Sequence, residues 1–445
     1  MNTLRFPNGE LERLRMALLE DAPNEAAALL LAERVETGNG CTLLVNESIR
    51  VPREFANAGP YRIDISSEFI ARVLKRARLG DLTLLFAHTH PFATYARFSA
   101  QDDAGERSIL PSVFGRAPRG PHGAVVLSPS DASARVYHAP EQSPVNLRIA
   151  EVGRTLRAWP VSDSTEEPAA SFDRTVRAIG AAGLRRLQEL RVAIVGLGGL
   201  GSLVAQQLAH LGVEEFLLID PDEIEASNLN RVVGASSGSV GMSKVDVASS
   251  MIRNIRPTAS VEAIRGDVRD ERDARRLVGV DLVFCCTDSH GSRAVLNQLA
   301  YQFFVPVIDI GVRIDAKDGK ITSVVGRVQQ LAPGLPCLIC ESLLDSEQVR
   351  RDLLTDVERK RDPYIVGAQE AQPAVISING VAASLAVTMF LSVTCGLPLA
   401  TRHQIYLADR GTVRNVTSVP APTCFVCSKE GAFGRGDRRQ LPWRR

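Results

Sequence analysis

His88 and His90 follow an apolar segment, Leu82–Ala87, and are separated by one residue, so they could bind a metal ion together. Side chains two residues apart on a β-strand point to the same face, which would direct both imidazoles into one site. Asp102 offers a carboxylate as a third ligand, and the fourth position of a zinc ion would stay open for water. Ser99 lies one helical turn before Asp102 and could donate a hydrogen bond to an oxyanion. This pattern predicts a metal-dependent hydrolase.

A hydrolase of this kind needs a general base, and Glu25 is the best candidate, ahead of Glu20 and Glu33. The spacing His-x-His-Pro-x7-Ser-x-x-Asp, with a glutamate upstream, resembles that of the JAMM (JAB/MPN) zinc isopeptidases over about residues 10–140. The resemblance implies zinc-dependent cleavage after the C-terminal glycine of a carrier protein, with Glu25 transferring the proton.

A second pattern, at Gly196–Ser202, directly follows the predicted strand Arg191–Val195 and opens a predicted helix. Its glycines are Gly196, Gly198, Gly199 and Gly201. Such a loop permits a tight turn and lets phosphate approach the backbone at a helix N-terminus. Asp220 ends the next predicted strand and could bind the ribose hydroxyls. Taken alone, this fingerprint fits a dinucleotide-dependent dehydrogenase at least as well as an ATP-using enzyme.

The residues that follow favour ATP. Arg231 and Lys244 place two fixed positive charges downstream of the ribose acid, which suits a triphosphate under attack by a carboxylate. Asn228 lies in the same segment. Asp288 ends the predicted strand Leu282–Cys286, at the sheet edge where ligands bind, and a lone carboxylate there could hold Mg²⁺. The alternatives are a solvated pair for Arg231 and Lys244 and a helix cap for Asp288.

This ordered array resembles the ThiF-like, ubiquitin-activating-enzyme superfamily over about residues 172–430. The resemblance implies that Asp220 binds ribose and that Asp288 holds magnesium. It also implies that Asn228, Arg231 and Lys244 contact the phosphates. Arg174 resembles the arginine that, in this dimeric family, reaches into the partner subunit's site.

Four of the eight cysteines form two Cys-x-x-Cys pairs, Cys337 with Cys340 and Cys424 with Cys427. Four thiolates are the ligand set of a closed, structural zinc site, and the family commonly has this pair of motifs. A redox role for either pair is the alternative.

The length of 445 residues predicts more than one domain, and the strand–helix alternation predicts an α/β fold throughout. We expect a JAMM-type α/β metalloprotease domain over residues 1–145, a linker over 146–171 and a doubly wound, Rossmann-like adenylation domain over 172–445. The uncharged stretch Ala371–Thr401 is long enough to span a bilayer, but its many polar residues favour a buried helix at Gly380–Cys395.

The amino-acid composition limits the classes of partner that we expect this protein to bind. A net charge of +1, with acidic and basic residues interleaved, predicts no nucleic-acid surface, and an aromatic content of 5% disfavours base stacking. No signal peptide is evident near Met1–Arg15. We therefore expect a soluble, cytoplasmic protein that does not bind nucleic acid or membranes.

Together the patterns predict an enzyme with Mg²⁺, ATP and two zinc ions that acts on a ubiquitin-like or sulfur-carrier protein ending in glycine. One site would cleave after that glycine, and the other would adenylate it in a homodimer. The residues between Glu341 and Asn379 include no cysteine, so the activated tail would pass to a separate conjugating enzyme or sulfur donor. Sulfur transfer for cofactor or cysteine synthesis is one alternative, an NAD-binding oxidoreductase a second, and a non-catalytic scaffold a third.

Overall fold

A computed structural model describes residues 2–38, 40–159, 168–355, 358 and 373–444. The chain divides into two compact units, Met1–Ser164 with Gly434–Arg439 and Thr165–Phe433 with Gln440–Arg445. Two sequence predictions fall partly outside the described residues: the end of the linker, at 160–167, and the start of the uncharged stretch, before residue 373.

The first unit is a mixed α/β structure around one eight-stranded sheet. Its strands are β1 (Thr3–Pro7), β2 (Ala27–Thr37), β3 (Gly40–Arg50), β4 (Ala56–Gly59), β5 (Arg62–Ile65), β6 (Thr83–Thr89), β7 (His122–Leu127), β8 (Ala132–Tyr137), β9 (Val145–Val152) and β10 (Leu156–Trp159). The helices are α1 (Glu10–Leu19), α2 (Ser67–Leu79) and α3 (Ala100–Arg116). The sheet order is β1-β3-β2-β6-β7-β8-β9-β10, and β1 also pairs with β9, whereas β4 and β5 form a separate hairpin.

The strand that carries the two histidines is buried on both faces. Leu85 of β6 packs in one core with Leu30 of β2, and Leu84 packs in a second core with Leu29 and Val73. Because successive side chains of a strand alternate between faces, these neighbours fix the register of β2 and β6.

The predicted linker is wrong over its first half. Residues 145–152 and 156–159 form β9 and β10 of the first sheet, and Leu147 and Ile149 are buried in its core. The neighbouring sequence is polar and contains several prolines, which obscures the alternation of apolar and polar residues in β9.

The second unit contains the predicted doubly wound sheet, which is confirmed. Its strands are β11 (Arg191–Val195), β12 (Glu215–Ile219), β13 (Ser260–Ile264), β14 (Leu282–Cys285), β15 (Val307–Lys317), β16 (Lys320–Leu331), β17 (His403–Leu407) and β18 (Thr412–Asn415). The helices are α4 (Asp173–Glu189), α5 (Gly199–Leu211), α6 (Lys244–Ile255), α7 (Glu271–Arg276), α8 (His290–Gln302), α9 (Ser346–Asp352) and α10 (Ile376–Cys395). The sheet order is β13-β12-β11-β14-β15-β16-β17-β18, parallel from β13 to β15 and antiparallel beyond.

Helix α10 is the predicted apolar helix, which begins at Ile376 rather than at Gly380 and ends at Gly396, whose φ of 76° is left-handed. By length and composition alone it is the one described helix that could cross a membrane, and 50% of its most apolar window is buried within the structure. It packs against α5, β15 and β16. The ring of Phe390 lies 5.7 Å from that of Phe284 in β14.

Replacing Phe390 by alanine tests whether α10 is a core helix of this unit. Phe390 is fully buried, so Phe390→Ala should lower the free energy of unfolding by about 3–5 kcal/mol in chemical denaturation followed by circular dichroism. Ile376→Ala, on the exposed first turn of the same helix, is the control and should change it by less than about 1 kcal/mol. Equal effects of the two substitutions would contradict this packing.

Candidate active sites

Pairing between β2 and β6 brings Glu25 to the histidines. The antiparallel register opposes Ala27 to His88, and Ala26 and Thr89 exchange hydrogen bonds just beyond it. Continuing this register sets Glu25 across from His90. The backbone N–H of His90 donates to the Leu127 carbonyl at 2.8 Å, which ties the end of β6 to β7.

Both histidines converge with Asp102, as the sequence predicts. His88 Nε2 lies 3.1 Å from His90 Nε2 and 3.0 Å from Asp102 Oδ1, and His90 Nε2 lies 3.5 Å from Asp102 Oδ2. One donor atom from each residue lies within 4.8 Å of the others. Two imidazole nitrogens and one carboxylate oxygen at this spacing fit a zinc ion with an open fourth position.

Ser99 and Asp102 form the first turn of α3. Ser99 caps the helix: its hydroxyl accepts from the Asp102 N–H at 3.2 Å and donates to Asp102 Oδ2 at 2.8 Å. Burial alone would raise the pKa of Asp102, but hydrogen bonds with His88 and Ser99 outweigh burial and hold that pKa well below its usual value. The Ser99 hydroxyl therefore orients the Asp102 carboxylate, and its role as an oxyanion donor stays a prediction.

Of the three candidate bases, only Glu25 lies at this site. Its Oε1 is 3.9 Å from His90 Nε2, and burial raises the pKa of the carboxyl to about 7, against the lowering effect of His88. Glu33 is also buried, and burial raises its pKa to about 7, but it pairs with Arg438 at 2.6 Å. Glu20 is exposed beside Arg50.

The glycine loop turns from β11 into α5 in a space too small for side chains. Gly196 has a φ of +88°, and a Cβ on Gly201 would lie 1.8 Å from the Gly196 carbonyl oxygen. Helix α5 begins at Gly199, within the glycine loop. Its N-terminus lies at the carboxyl edge of the parallel strands, where anionic ligands bind.

Asp220 is fixed beneath this loop. Its carboxylate accepts from the Leu197 N–H at 2.5 Å and from the Asp222 N–H at 2.9 Å. Burial raises the pKa of Asp220, while the charge of Lys244 acts in the opposite direction. Lys244 Nζ lies 2.7 Å from Asp222 Oδ2, so Asp222 holds the lysine beside the predicted ribose acid.

Arg231 and Asn228 differ in how far the polar atoms of their side chains are already engaged within the protein. Arg231 lies against the loop, since a Cβ on Gly199 would be 3.3 Å from its Cγ, and its guanidinium donates to the Asn230 side chain at 3.1 Å. Asn228 is buried, and its Oδ1 accepts from the Glu225 N–H at 3.2 Å. Asn228 thus shapes the turn, and its phosphate contact stays a prediction.

Asn379 is a neighbour of the loop that sequence reasoning missed. A Cβ on Gly199 would lie 2.5 Å from its Nδ2, so this buried amide packs directly on the glycine. Its sequence signal is a polar amide near the start of a long, mostly apolar helix.

Asp288 is exposed after β14 and is not the helix cap. The cap of α8 is Ser289, whose hydroxyl accepts from the Ser292 N–H at 3.2 Å, so the capping alternative for Asp288 is wrong. The Asp288 carboxylate fits Mg²⁺, which prefers oxygen ligands and keeps several waters beside substrate phosphates. Arg174 is exposed near the start of α4, and no ion pair joins it to another described residue.

The four paired cysteines meet. Cys337 Sγ lies 3.7 Å from Cys340 Sγ and 3.6 Å from Cys424 Sγ, and Cys340 Sγ lies 3.4 Å from Cys427 Sγ. Tetrahedral zinc–thiolate bonds of about 2.3 Å need sulfur separations of this size. The arrangement fits a structural zinc ion, because four thiolates so close would repel one another without a cation.

Comparison with known proteins identifies both units. Residues 172–425 match the ThiF family, and residues 7–139 match the family described as prokaryotic homologs of the JAB domain. Among solved structures, Escherichia coli MccB with ATP aligns with a TM-score of 0.46 at 22% identity, covering 60% of this chain and 76% of that one.

Three curated relatives match the second unit. The SAMP-activating enzyme E1 of Haloferax volcanii is 31% identical over 36% of this chain and 57% of its own length. Ubiquitin-like modifier-activating enzyme 5 of Oryza sativa is 30% identical over 38% of this chain and 42% of its own length, so the chain spans about half of each of these two. Molybdopterin-synthase adenylyltransferase of Escherichia coli K12 is 31% identical over 49% of this chain and 86% of its own length.

The ThiF match covers more than half of the residues. This chain therefore belongs to the ThiF family and carries a JAB-type domain N-terminal to its ThiF domain.

Proposed function

We propose that this chain uses Mg-ATP to adenylate the C-terminal carboxylate of a ubiquitin-like or sulfur-carrier protein, and that its JAB-type domain cleaves after the carrier's terminal glycine. The observation that carries the proposal is the clustering of phosphate-binding and ribose-binding groups at one sheet edge. The glycine loop, Asp220, Arg231 and Lys244 lie around the start of α5, and Asp288 follows the neighbouring strand β14 by three residues. The relatives, which are named as activating enzymes of ubiquitin-like modifiers and as a molybdopterin-synthase adenylyltransferase, support this class of substrate.

In adenylation, the N–H groups at the start of α5 would bind the phosphates of ATP, and Asp220 would bind the ribose hydroxyls. Arg231 and Lys244 would exchange their present protein partners for phosphate oxygens. Their charges would stabilise the α-phosphate while the carrier's carboxylate attacks it and pyrophosphate leaves. Magnesium, held by Asp288, would neutralise further phosphate charge.

In cleavage, a zinc ion held by His88, His90 and Asp102 would polarise the scissile carbonyl and activate water. Glu25 would accept the proton of that water and deliver it to the departing amine. A carboxyl with a pKa of about 7 suits both roles near neutral pH. The Ser99 hydroxyl would keep Asp102 oriented.

Protein modification and sulfur delivery share this first step, because both begin with a carrier adenylate. The relatives include a protein-modifier-activating enzyme and a molybdopterin-synthase adenylyltransferase, so both outcomes stay open. ATP–pyrophosphate exchange that depends on a glycine-ending carrier tests the proposal. A chain that bound a nicotinamide dinucleotide and showed no exchange would be an oxidoreductase instead.

The two activities should separate by mutation. Glu25→Gln or His88→Ala should reduce carrier cleavage by at least ~10²-fold, because the base or a metal ligand is lost, while ATP–pyrophosphate exchange stays unchanged. The matched control is Glu33→Gln, which removes an equally buried carboxyl on β2, the strand that Glu25 precedes, away from the histidines. Chelator-sensitive cleavage retained at full rate in His88→Ala would refute the ligand assignment.

Arg174 should act in a second copy of the chain. We expect a cytoplasmic homodimer in which Arg174 of one protomer reaches the phosphates bound by the other. Arg174→Ala and Asp288→Ala should each lose exchange activity alone, and mixing them should restore part of it, because a heterodimer keeps one intact site. The control is Arg177→Ala, an exposed arginine on the same helix that pairs with Asp173. Sedimentation of a fully active monomer would rule this out.

No stable thioester should form on this chain. Cys395 is half-buried at the end of α10, and burial raises the pKa of its thiol, which leaves it a poor nucleophile. After incubation with ATP and carrier, a non-reducing gel should show no thiol-sensitive adduct. An adduct that disappears in Cys395→Ala would overturn the prediction.

A further inference from the structure

A fully buried carboxylate, Asp309, lies two strands from the glycine loop and has no part in the mechanism above. The register runs from Val195 of β11 to Cys285 of β14 and then to Asp309 of β15. Residues aligned in this way share one face of a sheet. Asp309 therefore lies beneath the carboxyl edge at which β14 leads into Asp288.

Two arginines share this carboxylate. Arg327 of β16 forms an ion pair with Asp309 Oδ2, and Arg293 Nε of α8 lies 3.5 Å from Oδ1. Burial alone would raise the pKa of Asp309, but the charges of Arg327 and Arg293 outweigh it and hold the pKa below its usual value. Asp309 is thus an ionised anchor.

Arg293 connects this anchor to the loop that carries Asp288. Its Nε donates to the Thr287 carbonyl at 3.1 Å, and its Nη2 donates to the Ile310 carbonyl at 3.1 Å. A Cβ on Gly311 would lie 3.0 Å from Arg293 Nη2, so the guanidinium packs closely on β15. The backbone carbonyl directly before Asp288 is therefore held by a side chain whose own position Asp309 helps to fix.

We propose that Asp309 is a positioning residue for the magnesium carboxylate, acting through Arg293 and the Thr287 carbonyl on Asp288. This inference rests on the proposed adenylation site. Groups that orient a metal ligand from behind change metal affinity without touching the metal. Stability alone does not account for a buried ion cluster, since apolar residues of similar volume can often replace such a cluster without loss of stability.

The charges of the cluster fit this role. Asp309 balances one of the two arginines, and the remaining positive charge faces Asp288, which is the only acid in the Thr287–Ser289 turn. The turn is held from its other side as well, since Ser289 Oγ donates to Asp352 Oδ2 at 2.8 Å. Removing the contact to Arg293 should therefore loosen the turn without unfolding α8.

Two variants test the proposal without increasing the net charge of the buried cluster. Asp309→Val with Arg327→Met removes one charge of each sign and leaves Arg293 without its anchor. Arg293→Met keeps the Asp309–Arg327 pair and removes the connection itself, so it serves if the double variant does not fold. The matched control is Asp315→Asn, which removes an exposed acid of the same strand that pairs with Arg313.

The first measurement is hydrogen–deuterium exchange of residues 286–292 in the nucleotide-free protein. The second is the Mg²⁺ concentration that gives half-maximal ATP–pyrophosphate exchange. In both test variants, the backbone amides of this segment should exchange hydrogen for deuterium faster. Half-maximal ATP–pyrophosphate exchange should need ~10- to 100-fold more Mg²⁺, while the control should match the unmodified chain in both measurements.

Folded variants with unchanged exchange in this segment and unchanged Mg²⁺ dependence would overturn the proposal. If the unmodified chain shows no ATP–pyrophosphate exchange, the proposed function fails. The hydrogen–deuterium exchange then still decides whether Asp309 positions this turn.

Discussion

Backbone pairing between the parallel strands β11 and β14 is the constraint on which the nucleotide site depends. The Cys286 N–H donates to the Val195 carbonyl at 2.8 Å, so both strands end at the same level of the sheet. Strand β11 continues into the glycine loop, and β14 continues into the turn that carries Asp288. The chain from β11 leads to β12 on one side, whereas β14 lies on the other, and this divergence opens the crevice in which ligands of such sheets bind. If β14 and β15 were shifted by one residue against β11, the side chains of Cys285 and Asp309 would turn to the opposite face of the sheet.

Antiparallel pairing plays the same part in the JAB-type domain, where it brings the candidate base, just before β2, to the histidines at the end of β6. The β2–β6 register sets Glu25 opposite His90, and the capping turn of α3 brings in Asp102 from the other direction. Arg135 of β8 fixes that helix, since its guanidinium donates to Glu106 at 2.9 Å and to Asp103 at 2.6 Å. None of these contacts involves a long loop, so the site is placed by backbone hydrogen bonds and one buried ion-pair cluster.

The sequence predicts groups whose chemistry depends on local spacing. His88 and His90 share a face because successive side chains of a strand alternate, and the spacing of Gly196 and Gly201 predicts a tight turn with no room for a Cβ at either glycine. It does not predict what depends on distant pairing. Asn379 reaches Gly199 from a helix far along the chain. Strands β9 and β10 were not predicted, because β10 is only four residues long and part of the pairing of β9 is with β1, far away in sequence.

Glu25 and Glu33 show why a perturbed pKa alone does not locate a catalytic base. Burial raises the pKa of both carboxyls to about 7, and both lie on or beside β2. Glu33 directs its carboxylate to Arg438, which lowers the pKa of Glu33 against the larger raising effect of burial, so this carboxyl is the partner in a structural ion pair. The Glu25 carboxylate lies 3.9 Å from His90 Nε2, within the cluster of side chains proposed to bind the metal. What distinguishes them is the reacting group each could reach, because proton transfer requires hydrogen-bond distance before it requires a matched pKa.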